Sequence, residues 1–219
     1  MLSFAKKWFR NLIVLIILFF IFVGYFKFRE FLTFRGIIHN LKADSRIAEV
    51  LVTDSRVDEF TRIYTTTIKF LEYDVKGKPL EPKFFTFDGN LIQFQTLVVR
   101  FDDKYIEEGH RMKGKSIFLF LKCFVLKGKD TQERVITPVE EVPEGYRVGD
   151  PPSAFEKQVW RRFWQYALDP QKRSRVGIKN AQVEAPGSVF VPGTIYTLMI
   201  ENDGGIRIDT RPIPEILKN

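Results

Sequence analysis

The stretch that decides the fold is SIFLFLKCFVL, residues 116–126, in which only Ser116 and Lys122 interrupt an otherwise apolar run. The stretch is rich in aromatic and β-branched residues and is followed by the turn residue Gly128. This pattern predicts a β-strand. Consecutive positions of a strand face opposite sides, so apolar residues in both phases indicate burial on both faces. We therefore expect this strand to lie inside a sheet rather than at its edge.

Strand patterns continue on both sides of this stretch. From about Ile47 onward, segments rich in β-branched and aromatic residues alternate with turn residues, as in antiparallel sandwiches and barrels. The clearest predicted strands are 62–73, 83–87, 91–101, 132–139, 194–201 and 205–210. Asp88-Gly89 separates the second of these from the third, and this dipeptide between two strands predicts a β-hairpin.

One helix interrupts the strands, and we predict it over residues 153–169. Ser153 and Glu156 match the capping box, in which each side chain bonds a backbone N–H at the helix start. Pro170 ends the helix because proline disfavours helical geometry in the residue before it. The predicted fold is therefore mainly β, an antiparallel sandwich or barrel over residues 47–219 with one packed amphipathic helix.

The N-terminal part of the chain has a different character. Residues 12–26, LIVLIILFFIFVGYF, form an uncharged run of 15 residues between basic clusters. A bilayer needs about 20 residues of helix, and the flanking aromatic residues bring the run close to that length. Arg10 and Lys27 would then extend toward the headgroups. We predict a single transmembrane anchor within residues 1–28.

Two alternatives to this anchor are weaker. A cleaved signal peptide would show small residues before its cleavage site, whereas residues 24–29 are mostly bulky or charged. A buried core helix would need apolar cover on every side.

Three basic residues precede the run and three follow it, so the positive-inside rule does not orient it. The domain lies C-terminal to a short stub, and we expect it outside the cytoplasm, in the periplasm if the source is a bacterium.

The net charge of +7 is concentrated around this run. Residues 1–42 hold seven basic residues and one acidic residue, a net of +6, and the remaining 177 residues hold 27 basic and 26 acidic residues, a net of +1. Basic residues beside an apolar run meet anionic lipid headgroups. A nucleic-acid-binding domain would instead carry its basic face on the folded part, so we expect no nucleic-acid partner.

A helical stalk is predicted over residues 29–46, between the anchor and the β domain. Its apolar residues follow 3-4-3 spacing, which allows either self-association as a short coiled coil or an amphipathic helix at the lipid surface. These residues are Phe31, Phe34, Ile38 and Leu41.

The predicted helix 153–169 contains the strongest candidate for an interaction surface. Trp160, Arg161, Arg162 and Trp164 lie close together in sequence, and tryptophan and arginine are enriched at binding hot spots. The alternative is that the aromatic residues form the stripe that docks the helix on the sheet, with the arginines on its exposed side.

No catalytic, cofactor-binding or metal-binding residues are predicted. The acidic stretch 102–110 contains four carboxylates and His110, but its spacing matches no calcium loop and loops between strands are polar by default. Cys123, the only cysteine, lies in the central apolar strand, where a small buried residue is expected.

The sequence thus favours a membrane-anchored binding or scaffold protein rather than an enzyme. Its expected partners are the lipid bilayer, other proteins of a membrane or cell-envelope assembly, and further copies of itself. Two alternatives stay open: a membrane-tethered hydrolase that uses two carboxylates with raised pKa values, and a β-barrel adaptor of an export system.

Overall fold

The computed structural model describes residues 11–25, 28, 46–101, 116–173, 178–201 and 205–215. The chain divides into two units, Met1–Ile37 and Ile38–Asn219. In the first unit, residues 11–25 form helix α1. Within the described residues, no helix combines the length and the apolar content that crossing a membrane requires.

The second unit contains two antiparallel sheets. The strands of sheet 1 are β1 Arg46–Val57, β2 Tyr64–Glu72, β3 Lys83–Asp88, β9 Thr194–Ile200 and β10 Ile206–Pro212. The strands of sheet 2 are β4 Leu91–Phe101, β5 Ser116–Lys127, β6 Asp130–Val135, β7 Ile178–Glu184 and β8 Gly187–Val189. Sheet 1 has the order β10-β9-β1-β2-β3, and sheet 2 has the order β6-β5-β4-β7, with β8 paired to β4. The helical elements are α2 Ala154–Leu168, the four-residue α3 Pro170–Arg173 and a 3-10 turn, Glu144–Tyr146.

The two sheets share one hydrophobic core. Residues from both sheets belong to the same buried cluster, as expected when apolar strand faces pack against each other. The ring of Phe70 on β2 lies 5.5 Å from the ring of Phe94 on β4 and 5.2 Å from that of Phe120 on β5. The prediction of a mainly antiparallel β fold is confirmed, and the arrangement of the sheets is that of a sandwich.

The apolar stretch 116–126 occupies the predicted position inside a sheet. It is β5, which lies between β4 and β6, and residues 117–120 are all buried. Val98 and Phe118, which are paired across β4 and β5, pack toward Ile200 of sheet 1. Leu97 and Val99 therefore face the other side of sheet 2, where they are also buried. Sheet 2 is consequently covered on both faces in this region.

Helix α2 buries six of its residues and packs on sheet 2, where it contacts β7. The helix follows Ser153 and ends before Asp169. The Ser153 hydroxyl accepts a hydrogen bond from the Glu156 N–H at 3.1 Å, so the first half of the capping box is present. The buried Glu156 carboxylate instead accepts the Val148 N–H at 2.8 Å, because it turns toward the preceding loop.

The predicted hairpin at Asp88-Gly89 is wrong. The strands on either side of it, β3 and β4, belong to different sheets, so the chain passes from sheet 1 to sheet 2 at this point. Phe87 and Ile92 both enter the shared core, one from each sheet. Gly89 has a φ of +143° and passes so close to β5 that an added Cβ would lie 2.9 Å from Val125 Cγ1. Glycine is therefore required for the crossing and not for a two-residue turn.

Strands β7 and β8 were not predicted from the sequence. Strand β7, IKNAQVE, borders β4 on one side and is polar at several positions, so it lacks the apolar alternation that identifies a half-buried strand. The predicted turn through residues 202–205 joins two paired strands, β9 and β10, but residues 202–204 lie outside the described residues.

Candidate functional site

The four residues of helix α2 that were predicted as an interaction surface divide between the core and the surface. Trp160 and Trp164 are 1% and 0% exposed. The Trp164 indole N–H donates to the Glu141 carbonyl at 2.8 Å, and the Trp160 ring lies 5.4 Å from that of Tyr146. Arg161 is exposed and Arg162 is half-buried. The structure therefore does not bring the four side chains together on one accessible surface.

Other residues singled out in the sequence have varied outcomes. The four stalk residues and the acidic stretch 102–110 lie outside the described residues. Cys123 is buried, as expected, and its burial raises the pKa of the thiol to about 12. The thiol is therefore protonated at physiological pH and is a poor nucleophile. In the described part of the chain, no group of three or more potential ligands is placed to hold a metal ion.

A buried carboxylate marks a site that was not predicted from the sequence. Glu72 ends strand β2 on the inward face that also carries Thr66, Ile68 and Phe70. Burial raises the pKa of Glu72 to about 7, the nearby Glu144 adds to this shift, and the Lys83 ammonium opposes it. A charged residue in the buried phase of an otherwise apolar strand was the available signal.

The 3-10 turn closes over this carboxylate and connects it to both sheets. Gly145 lies so close that an added Cβ would stand 3.4 Å from Glu72 Oε1. The Lys83 ammonium lies 3.1 Å from a Glu144 carboxylate oxygen and donates to the Ile136 carbonyl at 3.1 Å. The Tyr146 hydroxyl accepts the N–H of Phe118 on β5 at 3.1 Å and donates to the same residue's carbonyl at 3.2 Å.

The Glu72 carboxylate can exchange a proton near neutral pH. The contacts around it, however, mainly connect the 3-10 turn to the sheets. Glu144 is held by ion pairs to Lys83 and, at 3.9 Å, to Arg147. A hydrolase with two carboxylates needs both of them free to act on a substrate held between them. Glu72, by contrast, lies beneath the backbone of Gly145. The Lys83–Glu144 ion pair and the packing of Gly145 on Glu72 therefore hold the 3-10 turn on sheet 1.

A more accessible feature lies at the opposite end of β2, in the turn that connects it to β1. Phe60 is 96% exposed there, and Val57 and Ile63 beside it are also exposed. The only sequence signal was an aromatic residue between Asp58 and Thr61, two residue types that favour turns. This turn is the candidate binding surface with the clearest geometry.

Together these features define an antiparallel β-sandwich domain that follows an apolar N-terminal helix and presents an exposed aromatic turn. No protein-family model, curated protein or solved structure matches the chain.

Proposed function

We propose that this protein is a membrane-tethered binding protein, in which the apolar N-terminal segment holds the chain at a bilayer and the β-sandwich domain binds another protein. The observation that carries the proposal is the surface of α1. Its large apolar side chains are between 39% and 68% exposed, on every side of the helix. A helix that is apolar all round requires an apolar environment, which lipid provides.

The charge distribution supports the same proposal. Residues 1–42 carry a net charge of +6, and their charged residues lie on either side of the uncharged run 12–26. Lysine and arginine at such positions interact with anionic headgroups. The remaining residues carry a net charge of +1, so electrostatic attraction to a membrane is concentrated at the N-terminal segment.

The sandwich supports binding through its surface rather than through its core. The aromatic residues of α2 and the single thiol are buried, and the Glu72 carboxylate lies under the 3-10 turn. The exposed apolar side chains of the β1–β2 turn remain available to a partner. Exposed aromatic residues are common anchors of protein–protein interfaces.

Membrane fractionation of the full-length chain tests the tether. We expect the protein in the membrane pellet after a carbonate wash and in the supernatant after detergent. Charges in the run, as in Ile16→Arg combined with Phe20→Arg, should release it, because each arginine costs about 2.5–3.5 kcal/mol at the centre of a bilayer. The matched control, Ile16→Leu with Phe20→Leu, should stay in the pellet. Release of the unmodified chain by carbonate alone would contradict the tether.

A reporter fused after Asn219 tests the expected orientation. Activity of a reporter that functions only outside the cytoplasm would place the sandwich there, and activity of a cytoplasmic reporter would place it inside. Because the flanking charges do not orient the run, this measurement decides the side on which partners are sought.

A further inference from the structure

The turn between β1 and β2 displays apolar side chains at one end of sheet 1, where β2 also pairs with β3 as far as Thr65. Strand β1 pairs with β9 only as far as Leu51, whereas its pairing with β2 continues to Val57. Beyond Leu51, β1 has β2 as its pairing partner in the described part of the chain. Phe60, at 96% exposure, lies near the end of the β1–β2 hairpin, with Val57 and Ile63 51% and 44% exposed. The hairpin end is therefore accessible to another molecule.

The backbone of this turn is held in one conformation before any partner binds. The Asp58 carboxylate accepts the N–H of Phe60 at 2.9 Å and that of Thr61 at 2.7 Å. The Asp58 carbonyl accepts the N–H of Arg62 at 2.9 Å, and the Asp58 N–H donates to the Ile63 carbonyl at 3.0 Å. Association with a preorganised loop loses less conformational entropy than association with an unstructured one.

The charge of this turn favours a protein over lipid as the partner that binds this surface. Asp58 and Glu59 directly precede Phe60, and the N–H of Thr61 holds the pKa of Asp58 below its usual value. Asp58 therefore stays ionised, and transfer of an ionised carboxylate into hydrocarbon is strongly unfavourable. Arg56 does not offset these charges, since it is paired with Asp54 at 2.9 Å. The exposed Arg62 offsets one of them, so residues 57–63 carry a net charge of −1.

The turn also lies far from the point where the N-terminal segment joins the domain. That segment enters β1 at Arg46, and the turn follows Val57 at the other end of the same strand. At about 3.3 Å per residue, the two ends of β1 are separated by roughly 36 Å. The surface thus lies at the opposite end of β1 from Arg46.

We propose that the β1–β2 turn, residues 57–63, is a docking site whose Phe60 side chain enters an apolar pocket, bordered by basic residues, on a protein partner. The inference rests on the proposed function and deepens it by stating the surface and the chemistry of the partner. The aromatic ring supplies the anchor, and the carboxylates of Asp58 and Glu59 complement the basic border.

Site-specific photocrosslinking in cells tests this docking site. The full-length chain carries p-benzoylphenylalanine in place of Phe60 or, as a matched control, in place of Phe84, which is exposed on the edge strand β3. We expect a discrete protein adduct from position 60 and at most a weak one from position 84. Peptide mapping of the adduct should place the crosslink in an apolar site with lysine or arginine beside it.

Charge reversal then separates docking from accidental proximity. With the crosslinker at position 60, Glu59→Lys should lower the adduct yield about tenfold, because it opposes the basic border. Glu81→Lys makes the same change at an exposed site in the β2–β3 connection and should leave the yield unchanged. Asp58→Asn should lower the yield while preserving the oxygen that accepts the turn hydrogen bonds.

Several results would overturn the inference. They are an adduct with lipid, an adduct with a second copy of this chain, an adduct site rich in carboxylates, no adduct at position 60, or equal yields for both charge reversals. Failure of the inference and failure of the proposed function are distinguishable. A chain that resists carbonate extraction but gives no adduct at position 60 keeps the tether and loses this docking site, whereas a chain released by carbonate loses the tether.

Discussion

Helix α2 and the β1–β2 turn hold aromatic residues in opposite environments. The two tryptophans of α2 are buried and lie beside two arginines, whereas Phe60 is almost fully exposed and lies beside two carboxylates. Both segments therefore combine aromatic and charged residues. The difference is spacing, since the α2 aromatics repeat with the helical period and Phe60 stands alone in a turn. Periodicity, more than aromatic content, shows whether an aromatic side chain faces the core.

The contrast extends along strand β2, whose two ends are about 26 Å apart at the usual rise per residue. At the Tyr64 end, the chain emerges from the exposed turn. At the Glu72 end, the 3-10 turn covers the carboxylate and contacts α2 through the ring contact of Tyr146 with Trp160. We call the second region the closed end: α2, residues 141–148, Glu72 and Lys83. The closed end should determine stability, and the exposed turn should determine binding.

The largest expected effect is on the closed end. Trp164→Ala should lower the free energy of unfolding by about 3–5 kcal/mol, because it leaves a large cavity and removes the donor to the Glu141 carbonyl. Chemical denaturation of the detergent-solubilised chain measures it. Arg161→Ala on the exposed side of the same helix should change the value by less than about 0.5 kcal/mol. Similar losses for both variants would show that α2 is not docked as described.

The next effect depends on pH and arises from Glu72. Its folded-state pKa of about 7 is above the ordinary value of 4.5. The native state therefore binds more protons between these values, and stability falls as pH rises from 4.5 to 7. The loss is about 3 kcal/mol for a shift of this size. Glu72→Gln should remove that dependence and be the more stable form at pH 8.

The control for this pH effect is Glu81→Gln, which changes an exposed carboxylate on the connection to β3. This variant should keep the pH dependence of the unmodified chain. If Glu72→Gln also kept it, the decline between pH 4.5 and 7 would have to come from other groups. Denaturation midpoints at several pH values supply the comparison.

A smaller effect is expected at the start of α2. Ser153→Ala removes the acceptor for the Glu156 N–H and should lower the free energy of unfolding by about 1 kcal/mol. Ser153→Asp, which can also accept this hydrogen bond, should keep most of the stability. Hydrogen exchange of the first-turn amides would locate the loss, and an equal loss with aspartate would argue against capping as its cause.

The smallest effect on stability should come from the exposed turn. Phe60→Ser removes a side chain that contributes little to the core, and it should change the free energy of unfolding by less than about 0.5 kcal/mol. The same variant should lose the proposed partner contact. A stability loss of several kcal/mol would show that Phe60 is a structural residue and would remove the contrast between the two regions.

Local sequence patterns were enough to predict the elements whose buried residues recur at the period of a strand or a helix. The apolar phases of 116–126 identified β5, and the Ser153 cap together with Pro170 bounded α2. In both cases the signal lies within one element. These are also the elements on which the shared core and the helix packing on sheet 2 depend.

The features that were missed depend on residues distant in sequence. Asp88-Gly89 has the composition of a hairpin, yet the core requirement of Phe87 and Ile92 places the flanking strands in different sheets. The polar edge strand β7 is a strand only because β4 provides its partner. Glu72 departs from its strand pattern, and its raised pKa arises from burial and from the nearby Glu144, while Lys83 opposes the shift. Sequence periodicity contains none of these tertiary relations.

The position of β1 between β2 and β9 also affects how the domain is made. Ala48 pairs with Glu72 on one side and with Leu198 on the other, the second partner being on the order of 150 residues later. During synthesis, the β1–β2 hairpin can form long before β9 leaves the ribosome. One edge of β1 then remains open to incorrect pairing with other chains. Completion of the C-terminal strands is therefore the step that ends this period of aggregation risk.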